Sequence, residues 1–132
     1  EDAALKLKVT VERYFSDYKK IFIMGVFKDK EYEKIVQILC PSAKRVYTVD
    51  LPNKERTLPA EKLAECVRDC MTEQLSVYAE KSIGDAVAKA YTYATEDSGK
   101  RAVIACGSLS YLSEVIRCME RCVQNPQRKE RI

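Results

Sequence analysis

Two short segments place polar side chains directly after apolar runs that predict β-strands. Lys28 and Lys30 follow the apolar residues 21–27, and Ser108 comes just after the apolar residues 102–106. In an open parallel sheet, ligands bind beyond the carboxyl ends of the strands, near the helix N-termini that follow them. Two ammonium groups, and a hydroxyl beside backbone N–H groups, suit a carboxylate or a phosphate. The sequence therefore predicts an anion-binding site at these two turns.

Each segment also has a simpler interpretation that the residues leave open. The lysines are compatible with an ordinary solvated surface, and Ser108 with a plain helix N-cap. Neither a Gly-x-x-x-x-Gly-Lys-Ser/Thr loop nor a Gly-x-Gly-x-x-Gly loop is present. The residues alone therefore predict an anion site without naming a reaction.

Histidine and cysteine content limits the chemistry further. The chain has no histidine, which excludes Ser-His-Asp and Cys-His catalysis and every zinc site that uses histidine. Four of the six cysteines form two pairs at i,i+4 spacing, Cys66 with Cys70 and Cys118 with Cys122. Each pair lies on one helix face. We expect small core residues there and no metal; a four-thiolate metal site or a redox pair is the alternative.

The whole chain has the composition of one globular domain, residues 1–132. Its 132 residues carry 23 basic and 20 acidic side chains, for a net charge of +3, and the two signs are mixed along the chain. A nucleic-acid surface would concentrate positive charge on one face. No apolar run approaches the roughly 20 residues that a membrane helix needs. We therefore expect neither a nucleic-acid nor a membrane partner.

Apolar periodicity predicts five helices that alternate with four strands. This order is typical of an α/β fold with a mostly parallel, Rossmann-like sheet and helices on both faces. The fourth strand, apolar on both faces, is expected at the centre of the sheet. The predicted strands are 20–27, 45–50, 75–78 and 101–106. The predicted helices are 2–17, 32–40, 59–71 and 109–122, together with one that begins at residue 82 and ends at Asp97.

The first predicted element is a helix, whereas in a βαβ architecture a helix follows a strand. We therefore expect that Glu1 is a cut end, that the first strand of the sheet is missing, and that the chain is a piece of a longer polypeptide. A natural domain that begins with a helix is the alternative. A missing strand would leave an unpaired sheet edge or a gap in the sheet, and a dimer could form through it.

Taken together, three segments resemble the C-terminal domain of the folylpolyglutamate synthase and dihydrofolate synthase family, of the Mur ligase superfamily. They are residues 25–32 (Gly-Val-Phe-Lys-Asp-Lys-Glu-Tyr), residues 56–59 (Arg-Thr-Leu-Pro) and residues 106–112 (Cys-Gly-Ser-Leu-Ser-Tyr-Leu). The opening residues are similar to those directly after the family's Asp-Gly-Ala-His-Asn motif, which is itself absent here.

The resemblance implies an ATP-dependent ligase that joins L-glutamate to dihydropteroate or to a folate through an acyl phosphate. ATP and Mg would bind mainly to a central ATPase domain that this chain lacks, so the chain alone is expected to be inactive. The resemblance also implies a cytoplasmic setting. Another Mur-type ligase and a stand-alone, non-catalytic binding module remain alternatives.

The same resemblance suggests roles for five residues. Ser108 matches the family's glutamate-binding serine, and Lys28 occupies a place where some Mur ligases have a substrate-binding lysine. Lys30, Asp29 and Arg56 are candidates for the rim of the active site. No catalytic residue is expected within this chain.

Overall fold

The computed structural model of the chain describes residues 2–70 and 75–124. Two positions used in the predictions lie outside the described residues. They are Glu1, which was expected to be a cut end, and Met71, the expected end of the third helix. Two short 3-10 turns, Cys40–Ser42 and Leu109–Tyr111, adjoin the regular elements. The elements in chain order are α1 Asp2–Tyr14, β1 Lys19–Met24, α2 Tyr32–Leu39, β2 Arg45–Thr48, α3 Ala60–Cys70, β3 Ser76–Ala79, α4 Ile83–Ala94, β4 Arg101–Cys106 and α5 Leu112–Gln124.

The four strands form one sheet in the order β3-β2-β1-β4, and all three pairings are parallel. This confirms the predicted α/β class with a parallel sheet. The position predicted for the fourth strand was wrong, because β4 lies at an edge of the described sheet rather than at its centre. Its residues 101–105 are accordingly only half-buried, although their apolar character suits a strand that is covered on both faces.

Helices cover both faces of the sheet, and β1 is buried between them. Ile21 and Ile23 point to the face that α4 and α5 cover, whereas Phe22 and Met24 point to the face covered by α1, α2 and α3. All four side chains are fully buried. Successive strand residues face opposite sides, so the continuous apolar run of β1 is explained by a separate core on each side.

Helix boundaries follow from capping residues that the sequence shows. Ser82 caps α4, where its Oγ accepts a hydrogen bond from the Asp85 N–H at 3.0 Å. Pro41 follows the end of α2, in the first turn of a 3-10 segment. The start of α3 has a cap from outside its own sequence, since Asp50 Oδ1 accepts from the Ala60 N–H at 2.7 Å.

The cysteines pack mainly inside the two cores. Cys118 and Cys122 are buried on the core-facing side of α5, whereas Cys66 and Cys70 are half-buried on α3. Within residues 2–70 and 75–124, no three or more metal-ligating side chains are grouped so that they could hold an ion. In the same part of the chain, no helix has the length and apolar character needed to cross a membrane.

Candidate functional site

Two turns meet at the carboxyl ends of β1 and β4. Gly107, directly after β4, has a φ of +101° and lies against the turn that begins at Gly25. A Cβ at Gly107 would be 2.3 Å from the Gly25 carbonyl oxygen. Only glycine combines that backbone angle with so close an approach. The two turns predicted to bind an anion are therefore in direct contact.

Tyr111 connects the same two strands from inside the fold. Its ring is fully buried, and its hydroxyl lies 2.9 Å from the Ile23 carbonyl oxygen and 2.5 Å from that of Cys106. Burial raises the pKa of the Tyr111 phenol well above its ordinary value, so the group is a neutral donor. This positioning role was not predicted, although a tyrosine four residues after the turn glycine was visible in the sequence.

Ser108 is the N-cap of the 3-10 turn that leads into α5. Its Oγ accepts a hydrogen bond from the Ser110 N–H at 3.1 Å and lies 2.9 Å from the Ser110 Oγ. The interpretation of Ser108 as a cap is thereby confirmed. The helix expected to begin at residue 109 begins there as a three-residue 3-10 turn, a common start of an α-helix, and the α-helix itself begins at Leu112.

A cavity of about 400 Å³ opens beside Ser108, between the end of β4 and the helices α1 and α2. Lys30 lines it as well, so the structure brings together one residue from each predicted segment. Among the described residues that line it none is acidic, and Lys30 is the charged one. The remaining wall is mainly apolar and includes Ala3, Ala4, Leu7, Ile35 and Leu39.

Lys28, Asp29 and Arg56 form a second group that does not line this cavity. The Arg56 guanidinium lies 4.0 Å from the centre of the Phe27 ring and 3.8 Å from Asp29 Oδ2. The Lys28 N–H donates to the Arg56 carbonyl at 2.8 Å. Both partners of the ion pair are more than half exposed, so it contributes little stability. The five predicted site residues are thus divided between a cavity and a neighbouring surface.

The backbone between the two groups is fixed by buried hydrogen bonds. Thr57 Oγ1 accepts from the Leu51 N–H at 2.7 Å, and the Leu58 N–H donates to the Val26 carbonyl at 2.9 Å. Phe27 and Thr57 also form an isolated antiparallel bridge. The segment 56–59 therefore lies against the turn after β1, which explains why two of the three recognised segments are neighbours in space.

The lining of this cavity includes groups that can bind a small anion. Lys30 carries an ammonium group and Ser108 a hydroxyl, and both residues line a cavity whose wall is mostly apolar. Groups of these two kinds form hydrogen bonds with small anions.

In comparisons with known proteins, this chain is similar to solved structures but matches no known sequence family. No protein-family model matches the sequence, and no curated protein matches it significantly. Escherichia coli FolC in complex with DHPP and ADP superposes with a TM-score of 0.72 over 91% of this chain, at 19% sequence identity. Folylpolyglutamate synthase of Mycobacterium tuberculosis, complexed with ADP and AMPPCP, gives 0.70 over 93% at 19% identity. The Thermotoga maritima folylpolyglutamate synthase gives 0.63 over 98% at 18% identity.

The chain has the fold of a folylpolyglutamate synthase domain. It spans only 26% of the E. coli protein and 27% of each of the other two. The resemblance carried by the three segments is thereby confirmed as a likeness of fold.

Proposed function

We propose that this chain is the C-terminal domain of an ATP-dependent folylpolyglutamate synthase or dihydrofolate synthase. We further propose that the cavity beside Ser108 and Lys30 receives the α-carboxylate of L-glutamate. One observation carries the second proposal: a serine and a lysine from two separate recognised segments line one cavity at the carboxyl ends of parallel strands. The fold supports the first proposal, since the neighbouring structures are folylpolyglutamate synthases.

The reaction proposed for the complete protein forms one amide bond. A substrate carboxylate attacks the γ-phosphorus of ATP, and ADP leaves. The glutamate amine then attacks the acyl carbon, releases phosphate and loses a proton. The similar E. coli FolC structure is a complex with DHPP and ADP, which supports a nucleotide and a folate precursor as substrates. In the proposal, ATP and Mg bind to another domain of the same polypeptide.

This chain's contribution would be to hold the incoming amino acid and to exclude water. The Lys30 ammonium offsets the charge of the α-carboxylate, and the apolar wall from α1 and α2 covers the site when the domains close. Water would otherwise hydrolyse the acyl phosphate. We expect the isolated chain to show neither ATP hydrolysis nor ligation, and sustained turnover by the purified chain would contradict this.

The two lysines provide a sharp test in the complete enzyme. Lys30→Gln should raise the KM for L-glutamate by about tenfold or more, as expected for loss of a charge-assisted hydrogen bond, and leave the KM for ATP unchanged. Lys28→Gln reports whether the lysine outside the cavity also binds substrate. Lys34→Gln, an exposed position on α2, is the matched control. If all three variants behave alike, the cavity is not the glutamate site.

The gene gives a cheaper test of the parent protein. An Asp-Gly-Ala-His-Asn motif directly upstream of Glu1, with a nucleotide-binding glycine loop farther upstream, would support the ligase. A start codon directly before Glu1 would support the stand-alone module. An upstream substrate-binding segment unlike that of the folate enzymes would favour another Mur-type ligase. We also propose a cytoplasmic location, because reducing compartments preserve free thiols and all six cysteines are free.

The β4 edge is the proposed place of a further strand. Because α1 packs on the same face as α2, a right-handed crossover from a preceding strand through α1 would start on the β4 side of β1. Without that strand, the half-buried apolar residues of β4 are an edge at which two copies could pair. Sedimentation analysis should show a concentration-dependent dimer, and a monomer at every concentration would contradict this.

A further inference from the structure

A second cleft lies on the opposite face of the sheet, beside the edge strand β3. It has a volume of about 310 Å³ and is bordered by β2, β3 and α4. The helix packs on β1, β2 and β4, so the outer part of the β3 face is left partly open. Tyr78 on β3 is 42% exposed, whereas its neighbour Tyr47 on β2 is 3% exposed. The cleft is separate from the cavity at Ser108 and has no part in the proposed ligase function.

Arg45, which lines this cleft, is a cation surrounded by tyrosine rings. Its guanidinium carbon lies 3.6 Å from the centre of the Tyr93 ring and 5.4 Å from that of Tyr78. One Nη donates to the Tyr47 hydroxyl at 3.2 Å. These contacts hold the guanidinium in place from three sides, and therefore pre-organise it.

Arg45 has no carboxylate partner among the described residues, unlike the cations next to it. Lys89 is paired with the buried Glu80 carboxylate at 2.7 Å, and Arg101 with Asp97 at 2.9 Å. In the described part of the chain, three buried polar side-chain atoms have no hydrogen-bond partner: the Arg45 Nε, the Thr92 Oγ1 and, next to this cleft, the Arg101 Nε. Buried polar groups ordinarily have partners, so these atoms leave hydrogen-bonding capacity unused. The carboxylates of Glu80 and Glu96 also line the cleft, but they are paired with Lys89 and Arg101.

The tyrosines add a surface for a flat group. Tyr47 and Tyr78 are stacked, with ring centres 5.5 Å apart and an angle of 25° between the rings. Tyr78 is the exposed member of the pair, so part of its ring is open to another ring. Aromatic rings stack in offset geometry on such faces.

We propose that this cleft binds a small aromatic carboxylate, whose oxygens accept hydrogen bonds from the Arg45 guanidinium while its ring stacks on Tyr78. A carboxylate matches the planar donor pattern of a guanidinium. Benzoate is the simplest ligand of this class, and benzamide has nearly the same shape without the charge.

The test is a titration of the ¹⁵N-labelled 132-residue chain, followed by NMR. Benzoate should give saturable shifts at the amides of Tyr47, Tyr78 and Tyr93, and benzamide and acetate should bind at least about tenfold more weakly. Equal binding of benzamide would overturn the role of the charge, and equal binding of acetate would overturn the role of the ring. Saturable shifts confined to Gly107 and Ser108 would also overturn the proposal.

Three variants locate the interaction. Arg45→Gln should weaken benzoate binding about tenfold or more, whereas Arg13→Gln, another arginine near a tyrosine ring, should leave it unchanged. Tyr78→Leu removes one ring but leaves the Tyr47 and Tyr93 contacts of the guanidinium in place, and it should weaken benzoate binding while leaving acetate binding unaffected. Should Arg45→Gln fail to fold, the Tyr78→Leu result and the benzamide comparison still decide. Unchanged benzoate affinity in Tyr78→Leu or in a folded Arg45→Gln would refute the proposal.

Discussion

Replacement of Gly107 by alanine should be among the most damaging single changes in this chain. The residue has a φ of +101°, which L-residues with a side chain rarely adopt. An added Cβ would also be 2.3 Å from the Gly25 carbonyl oxygen and 2.9 Å from a Val26 methyl group. The first of these contacts is with backbone, so no side-chain rotation relieves it. The turns after β1 and β4 must therefore move apart.

The magnitude follows from two costs. A residue with a side chain at positive φ costs about 1–2 kcal/mol. Separation of the turns also weakens the buried hydrogen bonding of the Tyr111 hydroxyl to the ends of β1 and β4, for about 1–3 kcal/mol. We therefore expect Gly107→Ala to lower the free energy of unfolding by about 3 kcal/mol or more, a large share of the roughly 5–15 kcal/mol typical of a domain.

Urea unfolding followed by circular dichroism measures this directly. The matched control is Gly84→Ala in the first turn of α4, where an added Cβ would meet its nearest atoms at 3.8 and 3.9 Å. Alanine there should stabilise the chain by up to about 1 kcal/mol, because it reduces the freedom of the unfolded chain. If Gly107→Ala unfolds within about 1 kcal/mol of the wild type, the described contact between the turns is wrong.

Three further changes test separate parts of the structure. Tyr111→Phe removes only the buried hydroxyl and should cost about 1–3 kcal/mol in urea unfolding; no loss would show that the hydroxyl does not connect the strands. Ser82→Ala removes the α4 cap and should cost about 1 kcal/mol by the same assay, whereas Thr10→Ala, whose hydroxyl bonds within exposed α1, should cost less. Burial raises the pKa of the Cys40 thiol from 9.0 to about 12. Between these pH values the unfolded state binds fewer protons than the folded state, so the free energy of unfolding should fall as the pH rises above about 9. For this thiol the slope is up to about 1.4 kcal/mol per pH unit. Cys40→Ala should flatten that slope, and an unchanged slope would contradict the assignment.

The elements could be predicted because their signals are local. The apolar run of β1, the Ser82 cap and Pro59 directly before α3 each act within a few residues, and the structure places an element at each of them. The edge position of β4 could not be predicted in this way. An apolar strand has the same sequence whether a neighbouring strand covers it or not, so β4 was expected at the centre.

The site was only partly predictable for a related reason. The sequence places both Lys28 and Lys30 in the turn after β1, but the Lys28 backbone is hydrogen-bonded to Arg56 while Lys30 lines the cavity beside Ser108. Which of the two lysines lines the cavity depends on the turn after β4, which forms another part of the cavity wall. The Tyr111 hydroxyl was missed because its acceptors are 88 and 5 residues away in sequence.

The central claim is that Ser108 and its cavity hold the carboxylate of an incoming amino acid. The most direct measurement is the KM for L-glutamate and for ATP of Ser108→Ala in the complete enzyme. The control is Ser42→Ala, because the Ser42 hydroxyl donates to the Leu39 carbonyl at the end of α2 and Ser42 itself does not line the cavity. We predict a KM for glutamate that is raised about tenfold or more, with the KM for ATP and the Ser42→Ala enzyme unchanged. Loss of stability in Ser108→Ala, with both KM values unchanged, would show that Ser108 is only a cap and would contradict the account.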